Sequence, residues 1–470
     1  MAEDAGTINI RTFKTEEEEI MAYICQKTEP LWDYFLVDKE KTTARLSVNR
    51  IEKKETIFEH KMPHGREIFY PVIFKDGDIY RMYYGTGHRF KDPETGKFNE
   101  SHTVTCYAES RDGKTWEFPS LGIYGDNNII LSHPTEPYGG GLCVFRDDNP
   151  ACPPESRYKG IMRVEDGCKV FVEGGTLASF VSPDGIHFER VENIAKEPGK
   201  FDSLNTVYWD EADGEYKLFY RDFDEGRRHI KLMTSKDYKH WEKHGFIQFD
   251  DEAKFALYTN NVQRYPGAPH IFTGLPVRYD DHGENWTPSF DVLPDIESRK
   301  WRYGMHPRFG TTLTDTLFMT SRDGLHWHKF NEAIADGGYE EPLTWKYGDG
   351  YFSQGYILDE AEISIFSTDS SWDGDYTGFV RYAIRRDGFA SFKSGWEKST
   401  LVTKPLILGG DKFFLNFRTS GAGTIRIKIT DGDTIATSCD VFGNHVRREV
   451  VFDKDLSVFE GKEVIIEMEL

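Results

Sequence analysis

The sequence is poor in cysteine and has no long apolar run. Among 470 residues there are six cysteines and no Cys-x-x-Cys pair, which argues against a zinc site and against a disulfide framework. No stretch approaches the roughly 18 apolar residues that span a bilayer, and the acidic start Met-Ala-Glu-Asp has no apolar segment behind it. We therefore expect a cytoplasmic protein with free thiols.

Positive charge is also in deficit. Lys and Arg number 58 against 79 Asp and Glu, a formal net charge of −21, and such a field repels nucleic-acid backbones and anionic lipids. The sequence contains no glycine-rich nucleotide-binding motif, no His-Glu-x-x-His and no Gly-x-Ser-x-Gly. We expect no nucleic-acid partner and no membrane partner, and nucleotide-dependent enzymes, zinc hydrolases and serine hydrolases lack support.

One short pattern recurs, an apolar strand followed by Ser-x-Asp-Gly-x-x-aromatic. Its copies are at 110–116, 182–188, 235–241 and 321–327, with a degenerate copy at 385–389. The Asp can accept from the N–H two residues later, and the Gly adopts positive φ. The pattern predicts a structural turn between strands, with its aromatic residue packed between neighbouring sheets.

A second repeat precedes each turn and has the alternation of a strand, a turn and a second strand. It is clearest at 70–84 and 205–220 and looser at 141–145, 261–265 and 355–366. Five such units alternate with five turns, which predicts an all-β fold with a five-bladed β-propeller over 61–395. We expect an N-terminal arm packed on the propeller over 1–60 and a C-terminal β-sandwich over 396–470.

The Ser-x-Asp-Gly-x-x-Trp turns and the blade count resemble the invertase, levansucrase and arabinanase/β-xylosidase superfamily of glycoside hydrolases. Segments 32–38, 201–210, 317–327 and 455–464 are more closely similar to an uncharacterised bacterial glycosyl-hydrolase-like group. The resemblance implies a funnel lined by the ends of the inner strands. Hydrolysis there needs two carboxyl groups across the scissile bond.

The resemblance implies three catalytic residues. The superfamily has an Asp before a Pro-x-Ile-like segment, but Tyr70 stands at that position here, so we assign the base to Glu67. Asp202 matches the Asp that stabilises the transition state. For the general acid we rank Glu341 ahead of Glu340 and Glu362, because desolvation beside Trp345 would raise the pKa of a carboxyl group.

The substrate-binding candidates are polar or aromatic residues expected at the funnel. They are Arg66, Asn205, Arg221, Asn261, His270, His306, Arg308 and Trp345. Arg and His gathered in the fourth blade suggest an anionic ligand, such as a uronate, a sialate or inorganic phosphate. The long interval at 275–310 is a candidate functional loop.

Three interpretations stay open. The first is a glycosidase that removes terminal sugars from oligosaccharides or glycosides with a Glu/Asp pair. The second is a glycoside phosphorylase that binds phosphate through Arg and His, and the third is a non-catalytic carbohydrate-binding propeller. We expect a carbohydrate partner and no cofactor, since no ligand pattern supports the calcium ion that relatives carry. A homo-oligomer is left open.

Overall fold

The computed structural model describes the chain in eleven stretches. They are residues 22–24, 28–87, 89–91, 98–100, 103–132, 141–164, 175–195, 199–282, 291–341, 344–369 and 377–470. The fold is mostly β. It divides into two compact units, of which one comprises residues 48–389 and the other residues 1–47 with 390–470.

Five largely antiparallel sheets follow one another in the larger unit. Sheet 1 contains Phe69–Asp76, Ile79–Thr86, Val104–Ser110 and Ile129–Leu131, with Trp116–Glu117 beside the third strand. Sheet 2 contains Cys143–Arg146, Tyr158–Val164, Thr176–Ser182 and Glu189–Ala195. Sheet 3 contains Thr206–Asp210, Glu215–Asp224, Arg227–Ser235 and Trp241–Phe246.

The last two sheets depart from simple sequence order. Sheet 4 contains Gln263–Tyr265, Ala268–Gly274, Met319–Ser321 and His326–Lys329, with Gln248–Phe249 added in parallel. Sheet 5 contains Ile357–Leu358, Glu362–Asp369, Thr377–Arg385 and, as its fourth strand, Glu52–His60. The predicted segments 70–84, 205–220 and 355–366 contain the first two strands of sheets 1, 3 and 5, whereas 141–145 and 261–265 contain only the first strand of sheets 2 and 4.

The recurring turns have the predicted hydrogen bonds. In the first copy the Lys114 N–H donates to Asp112 Oδ1 at 2.8 Å, and Gly113 has a φ of 71°. The third copy has Tyr238 where the others have Gly, and its φ is 64°. The Trp116 ring packs against Phe366 of sheet 5, with ring centres 6.3 Å apart. The turn prediction and the packing of its aromatic residue between sheets are confirmed.

The first strands of the five sheets contact one another in cyclic order. Val72, Cys143 and Val207, from sheets 1 to 3, share one core cluster. Thr206 Oγ1 of sheet 3 donates to Asn260 Oδ1 at 2.7 Å, and Gln354 Nε2 donates to the Val262 carbonyl at 3.0 Å. Gln354, which precedes the first strand of sheet 5, forms a parallel bridge with Val72. The fifth sheet therefore meets the first.

The segment Glu52–His60 was assigned to the N-terminal arm by sequence, but it is the outer strand of sheet 5. It pairs antiparallel with Thr377–Arg385, for example Phe58 with Phe379. Arg381 fixes this register, since its Nε and Nη2 donate to Glu55 at 2.9 and 3.1 Å and its Nη1 donates to Glu362 at 2.6 Å.

An insertion lies between the second and third strands of sheet 4. It supplies Val277–Asp280 and Leu313–Thr316, which form a three-stranded sheet with Ala256–Leu257, a strand that precedes Gln263–Tyr265 in the chain. It also contains two helices, α1 (Ile296–Met305) and α2 (Pro307–Thr311). The sequence analysis predicted a functional loop over 275–310 and did not predict these two helices. None of the helices among the described residues is long and apolar enough to cross a membrane.

The remaining elements of the larger unit are a hairpin of Arg89–Lys91 with Phe98–Glu100 and a 3-10 turn at Pro154–Ser156. In the smaller unit a six-stranded sheet contains Ala22–Ile24, Leu406–Leu408, Glu463–Glu469, Arg426–Thr430, Ile435–Thr437 and Thr400–Val402. Two further pairs are Phe414–Arg418 with Asn444–Glu449 and Arg45–Val48 with Ala390–Lys393. A 3-10 turn spans Leu456–Phe459. Val37, Ile427 and Phe459 are fully buried in this unit's core.

Candidate functional site

The entries of several first strands contact one another. Gln354, before sheet 5, forms a parallel bridge with Val72 of sheet 1, and Asn261, before sheet 4, donates to the Phe352 carbonyl. Two non-glycine residues at these entries have left-handed backbones, Tyr70 with a φ of 47° and Asn261 with a φ of 46°. Such conformations are uncommon outside glycine and concentrate at functional positions. Gly141, at the entry of sheet 2, has a φ of 98°, and a Cβ there would lie 3.0 Å from the Tyr70 side chain.

Asp202 lies just before the first strand of sheet 3, and its side chain is 59% exposed. One oxygen lies 3.3 Å from Arg163 Nη1 and the other lies 3.9 Å from Arg221 Nη2. Arg163 comes from sheet 2 and Arg221 from sheet 3, so the carboxylate bridges two sheets. Its exposed part is available to a ligand.

Asn205 holds the loop that carries Asp202. Its side-chain nitrogen donates to the carbonyls of Phe201 and Ser203, each at 3.0 Å. Arg221 in turn donates from Nε to the Lys200 carbonyl at 2.9 Å. The loop and the strand that supply the carboxylate and the guanidinium are therefore fastened to each other.

Five tyrosines, which we call the tyrosine cluster, lie beside this ion pair: Tyr70, Tyr258, Tyr279, Tyr347 and Tyr351. The Tyr258 ring is central, with ring centres of Tyr351, Tyr347 and Tyr279 at 5.5, 6.0 and 6.1 Å. The Tyr70 ring centre lies 6.5 Å from that of Tyr351. Rings at such separations pack favourably and form a rigid apolar surface.

The hydroxyl groups of Tyr70, Tyr347 and Tyr351 stay protonated. Burial raises the pKa of Tyr70, Tyr347 and Tyr351 well above 10. Burial is the largest cause of the raised pKa at Tyr70 and Tyr347, and the charge of Asp202 is a smaller one. At neutral pH these hydroxyls can donate hydrogen bonds and add no negative charge to the site.

The helical insertion supports the cluster from behind. Buried Arg302 of α1 donates from Nη1 to the Tyr347 carbonyl at 2.8 Å, and Arg299 Nη2 donates to the Trp345 carbonyl at 2.5 Å. Phe309 of α2 has its ring centre 5.4 Å from that of Tyr347. The insertion thus fixes the backbone of the segment that carries Tyr347.

The structure brings together Asp202, Asn205 and Arg221 of the predicted site. Glu67 is 5% exposed and comes two residues before sheet 1, at the same end as Tyr70. Its backbone N–H and that of the partly buried Arg66 donate to the Gly87 carbonyl at 3.2 and 3.0 Å. The assignment of Glu67 as base stays a prediction.

The general-acid candidates have other surroundings. Glu341 is exposed in a turn in which its N–H donates to Thr344 Oγ1 at 3.0 Å, so the desolvation that motivated its choice is absent. Glu340 is exposed too, and Glu362 is paired with Arg381. Trp345 donates from Nε1 to the Gly338 carbonyl at 2.8 Å.

Of the two candidates near sheet 4, Asn261 lies at the strand entry and His270 does not. Asn261 Nδ2 donates to the Phe352 carbonyl at 2.7 Å, and its buried Oδ1 has no hydrogen-bond partner among the described residues. His270 was predicted at the funnel, and this placement is wrong. Sheet register pairs Gln263 with Thr273, which puts His270 near the opposite turn and away from Asn261.

His306 and Arg308 belong to the helical insertion. His306 is the N-cap of α2, and its Nδ1 accepts from the Arg308 N–H at 3.4 Å. The Arg308 guanidinium lies 5.2 Å from the Phe309 ring centre, and its buried Nε has no hydrogen-bond partner among the residues described. Arg308 therefore retains a free donor close to the tyrosine cluster, whereas His306 is used in capping.

Sequence reasoning missed Arg163, Arg228 and most of the tyrosine cluster. The Arg228 guanidinium lies 4.2 Å from the Tyr279 ring centre. The sequence did contain a signal for Arg228. Arg221 and Phe223 come before one short turn and Arg228 comes after it, and strand alternation places all three side chains on the same face. In the described ranges, no group of three or more His, Cys, Asp or Glu side chains could hold a metal ion.

Comparison with known proteins gave no match among family models or curated proteins. Solved structures gave matches that include glycoside hydrolases of propeller-type families and a phosphorylase. One is β-1,2-mannobiose phosphorylase from Listeria innocua, with 11% identity over 71% of this chain and 96% of that chain and a TM-score of 0.45.

Two further matches are glycoside hydrolases. The catalytic domain of Coprinopsis cinerea GH62 α-L-arabinofuranosidase has 11% identity over 72% of this chain and 98% of that chain, with a TM-score of 0.43. Zg3597, a family 117 glycoside hydrolase produced by Zobellia galactanivorans, has 12% identity over 77% and 97%, with a TM-score of 0.40.

Proposed function

We propose that the protein is a glycosidase whose five sheets are the blades of a propeller, with its active site at the entries of the inner strands. The observation that carries the proposal is Asp202, a largely exposed carboxylate held between Arg163 and Arg221 beside the tyrosine cluster. Aromatic rings next to a fixed carboxylate suit a sugar ring whose hydroxyls and developing positive charge need a partner.

In this proposal Asp202 orients a sugar hydroxyl or stabilises oxocarbenium charge, and Glu67 is the second carboxyl group. Tyrosine hydroxyls that stay neutral serve as donors to the substrate. Glu341 is the least supported member of the predicted triad because its side chain is exposed.

The test is a library of oligosaccharides and aryl glycosides, incubated with and without inorganic phosphate and followed by mass spectrometry. For a glycosidase we expect phosphate-independent release of monosaccharide. Asp202→Asn and Glu67→Gln should each lower kcat/KM at least about 100-fold, the range of a lost catalytic group. Asp222→Asn is the matched control, because Asp222 lies next to Arg221 but is bound by Lys231 at 2.6 Å. Equal rates in wild type and Asp202→Asn would contradict the proposal.

A second candidate is a glycoside phosphorylase. It is favoured by the guanidinium groups of the site. Those of Arg163 and Arg221 approach Asp202, and that of Arg228 lies 5.2 Å from the Tyr258 ring centre. Phosphorolysis needs only one protein carboxyl group and a bound phosphate. Sugar phosphate that forms only when phosphate is added would establish it, whereas binding without any product would favour the non-catalytic interpretation.

A further inference from the structure

Two arginines of sheet 3 project from the same face toward one ring. Arg228 is paired directly with Phe223 across the antiparallel strands, and Arg221 is two residues before Phe223, so all three side chains share a face. The guanidinium carbons of Arg221 and Arg228 lie 5.1 and 5.2 Å from the Tyr258 ring centre. They lie 5.7 and 5.6 Å from the Phe223 ring centre, and Phe223 is 36% exposed.

The positive charge of this face is not balanced by the described side chains. Asp202 approaches Arg163 and Arg221, but no described carboxylate lies within 4.0 Å of Arg228. Arg228 Nε is buried and has no hydrogen-bond partner in the described part of the chain. The neutral tyrosine hydroxyls contribute no compensation. Arg221 and Arg228 therefore place two guanidinium groups on one face of a protein whose net charge is −21.

Guanidinium groups bind carboxylates in a planar, two-point geometry, and aromatic rings contact the apolar faces of sugars. This inference rests on the proposed function. We propose that the site selects an acidic sugar, a uronic or sialic acid unit, whose carboxylate is bound by Arg228 together with Arg221. Inorganic phosphate matches the charge but makes no use of Phe223 and the tyrosine rings, so we favour the sugar acid.

The test is calorimetric titration of the full chain with methyl glycosides of glucuronic, galacturonic, mannuronic and N-acetylneuraminic acid. The methyl ester of each acid is its control, because the ester removes the charge and keeps the sugar. We expect at least one acid to bind about tenfold or more tightly than its ester. Arg228→Met should abolish that preference while leaving ester binding within twofold.

Arg227→Met is the matched variant. Arg227 is the adjacent residue of the same strand, points to the other face and pairs with Glu225 at 3.1 Å. Arg227→Met removes the same positive charge as Arg228→Met but from the other face of the strand. This variant should therefore keep the preference for the acid. Equal binding of acids and esters, no binding of any acid, or the same loss in both variants would overturn the proposal. Binding of inorganic phosphate alone, lost in Arg228→Met, would overturn it in favour of the phosphorylase.

Product analysis on the same glycosides separates this inference from the proposed function. Binding of an acid in preference to its ester without cleavage would retain the acidic-sugar inference and refute the glycosidase. Cleavage of neutral glycosides with no preference for acids would retain the glycosidase and refute the acidic-sugar inference.

Discussion

The side-chain oxygen of Asn205 accepts the backbone N–H of Arg221 at 3.1 Å, which joins the loop carrying Asp202 to the neighbouring strand. The nitrogen of the same side chain is used by two carbonyls of the loop. Asn205 is 4% exposed, so these bonds are shielded from water. Its role in the structure is to position the carboxylate and the guanidinium.

Asn205→Ala should lower both stability and activity. It leaves the Arg221 N–H and two loop carbonyls buried without their partner, which costs about 2–4 kcal/mol in the free energy of unfolding. Urea denaturation measures the stability, and kcat/KM measured well below the denaturation midpoint reports the displaced site. An unchanged midpoint would contradict the positioning role.

Gly355→Ala should be severely destabilising. Gly355 has a φ of 99°, and a Cβ there would lie 1.8 Å from the Ile73 carbonyl oxygen, at the contact between sheets 5 and 1. Gly214 has a φ of 61° with open space around it, so Gly214→Ala isolates the cost of the backbone conformation, about 1 kcal/mol. We expect the Gly355 variant to lose at least about 3 kcal/mol or to be insoluble. Similar melting temperatures for both variants would refute this steric account.

Arg381→Met should loosen the outer strand of sheet 5. The Arg381 side chain is 9% exposed and holds Glu55 and Glu362, so its loss should cost about 1–2 kcal/mol. Lys53→Met is the control on the same outer strand, because the 3.4 Å pair of Lys53 with Asp369 is largely exposed and should contribute less than about 0.5 kcal/mol. Hydrogen exchange of residues 52–60 should accelerate only in the Arg381 variant, and equal exchange in both would count against it.

The recurring turns should make the larger unit sensitive to acid. N–H groups of Thr115 and Lys114 lower the pKa of Asp112 to about 2, and bonds from His240 likewise lower that of Asp237. A folded-state pKa below the unfolded value of 3.8 stabilises the fold above pH 3.8, and this stability is lost as pH falls toward 2. Asp112→Asn should therefore weaken the decline in urea midpoint between pH 4 and pH 2, and an unchanged decline would be inconsistent with this role.

Local patterns in the sequence predicted the regular part of the fold. The Asp-capped turn at Ser110–Gly113 and the strand pair at 70–84 depend on neighbours within a few residues, and both form as predicted. Glu52–His60 was misassigned because its partner Thr377–Arg385 is remote in sequence. Its own charged residues Glu52, Lys53 and Lys54 look like those of a linker.

The candidate site was predicted only in part, for a similar reason. Asp202 and Arg221 lie close in sequence to one strand entry, and the resemblance to glycoside hydrolases pointed there. Arg163 and Tyr347 reach the same place from other sheets and loops, so only tertiary contacts reveal them. The placement of His270 at the funnel was wrong because strand alternation indicates the face on which a side chain lies, but not the end of the sheet at which it lies.

The outer strand of sheet 5 comes from the N-terminal part of the chain. This has a consequence for folding during synthesis on the ribosome. Glu52–His60 emerges before every other strand of the larger unit, whereas its partner Thr377–Arg385 emerges after almost all of them. Joining segments so far apart carries a loop-closure entropy that grows with their separation. A nascent chain arrested before residue 377 keeps this strand unpaired, with its backbone N–H and C=O groups open to chaperones or to other chains.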